Sequence, residues 1–567
     1  RDRDPLSLFA TRDLINKYSQ VGDDGNYTYP LPQGEVLNLG QSDTYSHTFR
    51  PQLSFVKDWE DTHFLNAIAG MEIRDLQGLN SSTAYYGYRD DTGISLPVDM
   101  VSRFPLFYNP GQQASIPSED SHGGRVDRFI SYYANVGYDL KHRYFLTLSA
   151  RKDQANIFGV ESNKRGVPLW SMGAGWILSD EKFADFPKMP FLKLRATYGV
   201  SGNVDKSLSS AVTARYITFL PWDILPQLTA SGIVNPPNPG LSWEKIQTTN
   251  LALDVETQNG FLAGSIEYYI KDSRDLLGDY SVEAATGNTN FTGNFAASRI
   301  NGADLTLAVR WFRNDFQWTS NLFYSGVNEK VTDFEKLPTV SNLLAMANTS
   351  MPYPYAGRPL YGIYSYKWAG LDTDTGDPLG FVDGEASNDY LAISREATIE
   401  NLQYHGPARP TSFGAFRNDF GYKGFALSVN ISYRFGYYYS RESINYYTLL
   451  RGTIGHGDYD RRWQQPGDEE WTQVPSLPAS SDTRRNNFYM NSGTLVEKGD
   501  HIRLNDVRFS YTLSSARMPR LPFHSAELYS YASNLGILWK ASDDALDPDF
   551  QTSRPLRSFS LGMRIDF

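Results

Sequence analysis

The chain has 567 residues, with 53 Lys and Arg against 64 Asp and Glu, a net charge of −11 and no cysteine. The acidic balance argues against a nucleic-acid binder, and the missing thiols exclude disulfide frameworks, thiolate zinc sites and cysteine nucleophiles. Aromatic residues make up 14% of the chain and glycines number 46, a mixture that suits strands and turns. Mean hydropathy is −0.45, and no run of roughly 18 apolar residues occurs, which excludes a bundle of membrane helices but not a membrane β-barrel.

The opening RDRDPLSLFATRD lacks the apolar stretch of a signal peptide, and residues 1–43 read as an extracellular loop region. Beyond them, alternation of apolar and polar residues predicts about fifteen strands. In chain order they lie near 44–58, 61–74, 125–140, 143–153, 168–178, 191–200, 243–257 and 260–273, then 295–313, 315–327, 411–422, 424–437, 501–514, 525–534 and 555–567. The clearest, at 424–437, puts Phe425, Leu427, Val429, Ile431, Tyr433 and Phe435 on one face. Ala426, Ser428, Asn430, Ser432 and Arg434 occupy the other.

Tight turns at Asp58–Asp61, Lys141–Arg143, Asn259-Gly260, Asn314-Asp315 and Lys423-Gly424 alternate with long segments near 75–124, 201–242, 328–410 and 438–500. Short turns at one end and long loops at the other predict an all-β, transmembrane antiparallel β-barrel. A propeller would repeat every 40 to 50 residues or so, and no such repeat is present. An odd strand count cannot close a barrel whose two termini share one side, so an odd number of further strands is expected N-terminal to Arg1. In the last strand Phe559, Leu561, Met563, Ile565 and Phe567 line one face. This ending resembles the signal by which outer-membrane barrels are recognised for assembly.

Several stretches, in order, resemble the SusC/RagA-type TonB-dependent outer-membrane transporters of the Bacteroidota. They are RYFLTLSARKDQANIFG (143–159), MGAGWILSDEKF (172–183), LKLRATYGVSGN (192–203), NPGLSWEKIQTTNLALD (238–254) and EYYIKDSRDLL (267–277), followed by YGIYSYKWAGLDTDTGDPL (361–379), RRWQQPGDE (461–469) and FYMNSGTLVEKGDHIRLNDVRFSYTL (488–513). The resemblance implies a barrel of about 22 strands around a plug, so that residues 44–567 supply its C-terminal two-thirds. About seven strands, the plug and the TonB-contacting segment would belong to another part of the protein. It further implies a non-enzymatic importer of oligosaccharides or oligopeptides in the bacterial outer membrane. A SusD-like surface lipoprotein would act as its lid, the TonB complex would supply energy, and transporter–lipoprotein pairs would be able to dimerise. The alternative is a non-importing scaffold of a secretion or surface-assembly complex.

On that reading the aromatic loop residues Tyr361, Tyr364, Tyr437, Tyr438, Tyr439 and Trp463 are candidates for cargo binding, since aromatic faces stack on sugar rings or pack on peptide side chains. Asp372, Asp374 and Asp377, with Asp383 further on, form an oxygen-rich run suited to calcium. Gly376 and Asp377 stand in the wrong order for an EF-hand, and an Asx-turn accounts for the same residues. No other cofactor is expected. The acidic stretch ASDDALDPDF (541–550) reads as a lid or cation contact, or as a solvated loop tip, and Trp539 before it as a membrane-interface residue. The eight histidines show no metal spacing, and no nucleophile elbow occurs.

Overall fold

The computed structural model describes residues 5–156, 166–183, 191–203, 210–218, 229–238, 240–281, 290–334, 336–349, 352–452, 455–515, 518, 522–550 and 553–567. Sixteen strands form one large sheet. They are β1 (Glu35–Phe49), β2 (Gln52–Trp59), β3 (His63–Tyr88), β4 (Ser121–Leu140), β5 (Tyr144–Ala155), β6 (Gly166–Ile177), β7 (Phe191–Asn203) and β8 (Glu244–Glu256). The second half comprises β9 (Leu262–Ser281), β10 (Asn290–Arg313), β11 (Phe316–Phe334), β12 (Ser412–Tyr422), β13 (Phe425–Phe435), β14 (His501–Ser514), β15 (Ser525–Lys540) and β16 (Ser558–Asp566).

Each strand from β3 onward neighbours the next in sequence, and β1 and β2 both pair with β3. β1 and β2 are therefore two parts of the single expected strand 44–58. Pro51 falls between them, where a residue without an N–H cannot donate to the ladder. With those two counted together, all fifteen expected passes are present.

The outer and inner rows follow from register. On β13, Phe425, Leu427 and Val429 sit opposite Tyr511, Phe509 and Val507 of β14 and opposite Tyr422, Phe420 and Asn418 of β12. The opposite face is charged and paired. Arg417 reaches Asp419 at 2.9 Å and Ser428 at 3.0 Å, Asn430 donates to Asp506, and Arg508 meets Glu527 at 2.8 Å. Further along the sheet, Arg195 bridges Asp254 and Glu267, both at 2.7 Å. Where the outer row does carry polar atoms they satisfy one another: Trp311 donates to Ser320, and Trp318 and Ser320 both donate to Asn418. These lie in an aromatic girdle at the short-turn end, in which Phe261, Trp311, Trp318 and Phe420 pack ring against ring at 5.5–5.6 Å.

The tight turns are of the kind a right-twisted hairpin favours, with consecutive left-handed residues at Glu60 and Asp61 (φ 52° and 55°), Lys141 and His142 (54° and 50°) and Lys423 and Gly424 (45° and 92°).

Several strands run past their expected ends. β3 reaches Tyr88 rather than 74, β9 reaches Ser281 rather than 273, and β15 reaches Lys540 rather than 534. Their far ends lose strict alternation, as in DLQGLNSSTAYYGY, but ladder bonding to a neighbour continues, with Gln41 opposite Ser81 and Leu39 opposite Thr83. A bilayer needs only about 9–11 residues per tilted strand, so these extensions stand clear of it. The same pairing corrects residues 1–43, expected as loop: they hold a helix, Pro5–Tyr18, and the start of β1 at Glu35.

Two compact units divide the chain: Arg1–Leu53, Gly70–Tyr132 and Asp153–Ile157 form one, and Ser54–Ala69, Tyr133–Lys152 and Phe158–Phe567 the other. The first has its own core, in which Ile15 and Tyr18 of the helix pack with Leu31, Tyr86, Leu106 and Ile116. The Tyr18 hydroxyl donates to the Ser115 carbonyl at 2.7 Å.

In the second unit the segments 336–410 and 438–500 fold into a loop layer rather than open loops. It contains short helices at Val340–Thr349, Tyr390–Glu396 and Thr483–Met490 and small sheets such as Gly362–Ser365 with Gln403–Pro407. At its centre Ile444, Tyr446, Val474, Tyr489 and Leu495 are almost wholly buried.

Candidate functional site

The expected cargo-binding aromatics are placed differently from one another. Tyr364 lies on the small strand Gly362–Ser365, packed on Leu343, Leu344 and Leu402 with its ring 5.0 Å from Tyr404. Burial pushes its hydroxyl well above the ordinary tyrosine range. Tyr437 and Tyr439 are buried as well. Tyr437 donates to Asp549 at 3.4 Å, and Tyr439 donates to Ser542 at 3.2 Å with its hydroxyl pushed up to about 12 by burial. Tyr438 is half-buried beside Gly406 and His405. Trp463 is buried and donates to Glu469 at 2.9 Å. These five rings hold the loop layer together. Tyr361 lines an open cavity.

The acidic run is a turn. Asp372 Oδ1 accepts from the backbone N–H of Asp374 at 3.0 Å and of Thr375 at 2.8 Å, and from the Thr375 hydroxyl at 2.8 Å. The Thr375 hydroxyl does most to hold the Asp372 carboxyl below its ordinary range. Asp377 is committed to Arg485 at 2.7 Å, Asp374 points into solvent, and Asp383 belongs to the separate turn before Glu385. Among the described residues no three carboxylate or imidazole side chains gather as cation ligands. Backbone amides and a hydroxyl therefore take Asp372 Oδ1 and a guanidinium takes Asp377 Oδ1, which holds the run as a turn.

Trp463 explains the glycine in that turn. Gly376 has φ 68°, and a Cβ there would overlap the Trp463 indole. Gly376→Ala therefore combines left-handed strain with overpacking, each about 1 kcal/mol or more. The expected result is faster proteolytic nicking around 372–377 in the purified full-length protein. Gly384→Ala, also at positive φ but in open space, should show the smaller effect.

In the stretch 541–550 two of the acidic residues are tied down by ion pairs. Asp547 meets Arg503 at 2.5 Å, while Asp549 meets Arg434 at 2.7 Å and His501 at 3.2 Å. Burial alone would raise the Asp549 carboxyl, but His501, Arg434 and Arg503 outweigh it and hold it below the ordinary range. The acidic stretch pins the last loop to the upper ends of β13 and β14.

Beside this anchorage a cavity of about 580 Å³ opens on the inner row of β10–β13. Ile300, Val327, Glu329, Phe413 and Arg434 form its strand wall, and Tyr361, Tyr404 and Arg409 come from the loop layer above. Backbone bonds fix the loop to the wall: Val331 N–H donates to Arg358, Gly357 N–H to Val331, Val327 N–H to Thr411 and Thr411 N–H to Phe435. Arg409 lies with Cζ 3.5 Å from the Tyr361 ring centroid, and Arg358 covers Tyr404 at 4.5 Å. The cavity thus offers aromatic edges, prolines and charged groups of both signs, held in place before any ligand arrives.

Residues 2–357 match the family model described as TonB dependent receptor-like, beta-barrel, and the chain belongs to that family. It is 27% identical over 498 residues to TonB-dependent receptor P26 of Formosa agariphila, covering 84% of this chain and 47% of the relative. To TonB-dependent receptor SusC of Bacteroides thetaiotaomicron it is 27% identical over 195 residues, 33% of this chain and 19% of that one. A solved structure of the RagAB peptide importer in its closed-closed state superposes with a TM-score of 0.74 at 19% identity, covering 94% of this chain and 56% of the other. The chain is a TonB-dependent receptor-like β-barrel of the bacterial outer membrane, similar to SusC and to the RagAB importer, and spans about half the length of the curated relatives it matches. The outer row of β13 and the strongly exposed Phe559, Leu561 and Phe567 at 74%, 88% and 94% are then lipid-facing, as apolar residues without protein neighbours should be in this family.

Proposed function

We propose that the whole protein imports oligosaccharides or oligopeptides across the outer membrane, with TonB supplying energy and a SusD-like lipoprotein closing over the loop layer. The observation that carries this reading is the cavity on the inner row, roofed by loops that fold with a core of their own. A ligand path needs polar and aromatic groups that bind without holding too tightly, and a lid needs a surface that is already ordered. The names of the relatives support the same reading, since SusC and P26 are TonB-dependent receptors and RagAB is a peptide importer. Phe559, Leu561, Met563, Ile565 and Phe567 serve as the assembly signal on this proposal, and two transporter–lipoprotein pairs would associate as a dimer.

The test is uptake. Deleting the gene should abolish accumulation of one class of defined oligosaccharide or oligopeptide in whole cells, and the intact gene should restore it. Loss of a surface or secreted protein with no ligand-specific change in uptake would favour the scaffold alternative.

A further inference from the structure

Three charged groups line the cavity, Arg434, Arg409 and Glu329. Arg434 is bound to Asp549 at 2.7 Å, and Asp549 is shared with His501 and Arg503. Arg409 differs: its guanidinium contacts the Tyr361 ring but makes no hydrogen bond or ion pair among the described residues. Glu329 lines the same cavity, half-buried, and is likewise without an ion pair among the described residues.

The sequence around Arg409 holds it ready. Pro410 turns the preceding backbone away from helical angles, and Ala408 N–H donates to the Tyr361 carbonyl at 2.7 Å, which keeps ring and guanidinium side by side. Stacking on the ring leaves the N–H edge of the guanidinium directed sideways, the geometry that takes a carboxylate by two parallel hydrogen bonds. Phe413 and Pro407 stand beside it in the cavity lining, and Arg409 itself is exposed and open to a ligand. Glu329 lies within electrostatic reach of Arg409, so an incoming carboxylate competes with it for the guanidinium, and a densely charged anion is repelled more than a single carboxylate.

We propose that this cavity is a subsite for a carboxylate-bearing segment of the cargo, anchored by Arg409 on its Tyr361 platform. The inference rests on the import reading above, and it narrows the cargo to oligomers carrying single, spaced carboxylates. A peptide C-terminus and a uronic acid both supply that group.

Two probe pairs distinguish those sources by calorimetry on the purified full-length transporter: trialanine against its C-terminal amide, and trigalacturonate against its methyl ester. The acid of one pair should bind about tenfold tighter than its neutral partner, the scale of a charge-assisted hydrogen bond. Arg409→Gln should erase that preference, and Glu329→Gln should enlarge it. Both variants should melt within a degree or two of the wild type, since Arg409 gives up only an exposed contact with the Tyr361 ring and Glu329 makes no hydrogen bond or ion pair among the described residues. Equal binding of acid and neutral forms in both pairs overturns the proposal, as does a preference that survives Arg409→Gln or shrinks with Glu329→Gln. Cellular uptake separates the two failures: normal uptake without a carboxylate preference removes the subsite and leaves the importer, whereas absence of any uptake removes the importer itself.

Discussion

Arg441→Ala should disorder the loop layer while leaving the strands paired. Arg441 and Asp458 form a buried pair at 2.7 Å, with side chains only 11% and 7% exposed. Asp458 also accepts from the Ser443 hydroxyl at 2.6 Å, and Ser443 is bonded in turn to the Tyr489 hydroxyl at 2.8 Å. Tyr489 packs against Ile444, Val474 and Leu495, so the charge pair and the apolar core are joined through one serine. Removing the guanidinium leaves a carboxylate buried without its counter-ion, at a cost of about 3–5 kcal/mol. The small core of the loop layer has little to set against that.

The outcome can be separated from a general loss of packing. Replacing both partners, as Arg441→Met with Asp458→Leu, leaves no buried charge and should recover much of the loss, because Ser443 keeps its bond to Tyr489. Limited proteolysis of the purified full-length protein reports this as cleavage between 438 and 500. The double variant should be cut more slowly than Arg441→Ala; equal rates would mean that the side-chain volume of Arg441, not its charge, is what matters.

The pair also gives the loop layer a pH dependence of definite sign. Burial would raise the Asp458 carboxyl, but Ser443 and Arg441 outweigh it and hold it below its ordinary value. The stabilisation it brings is therefore complete above the unfolded carboxylate pKa of about 4 and is lost as pH falls through the lower folded value. In the wild type, proteolysis between 438 and 500 should accelerate only in that acidic window, with an acid-tolerant protease as the probe. Asp458→Asn should remove that part of the response.

The strands were legible because their signal is local. Phe425 to Phe435 alternate without exception, and a period of two needs no knowledge of the partner strand. The strand ends were less legible, since residues 75–88 stay extended through bonding to 35–49 and not through their own pattern. The loop layer was hidden for a related reason: Ile444, Val474 and Leu495 are far apart in sequence and show no period, yet they meet in one core. Density of tyrosine did not show which rings pack inside the loop layer, as Tyr364, Tyr437 and Tyr439 do. The more informative pair, Tyr361 with Arg409, spans two segments that only the hairpin of Gly362–Ser365 with Gln403–Pro407 brings together. Its one sequence cue was an arginine placed directly before Pro410 at the entry to a strand.

Val429→Arg and Ser428→Arg, adjacent in sequence, should have opposite fates. Val429 lies mid-strand in the outer row of β13, between Asn418 and Val507, and has the bilayer as its remaining neighbour. An arginine at mid-membrane on the lipid face of a barrel costs about 2–4 kcal/mol. Ser428 lies in the inner row, beside Arg417 at 3.0 Å and opposite Asp419 and Arg508. An arginine there enters a polar interior and competes for Asp419 instead of displacing lipid contacts. Refolding of the full-length protein into vesicles, read by heat-modifiable gel mobility, should show a marked loss of folded yield for Val429→Arg and little for Ser428→Arg. Equal losses would mean that both rows face the same environment, which would overturn the assignment of the two faces. The contrast turns on a one-residue step along a single strand, and because that step reverses every side chain, it tests the register of β12, β13 and β14 together with the direction of the membrane.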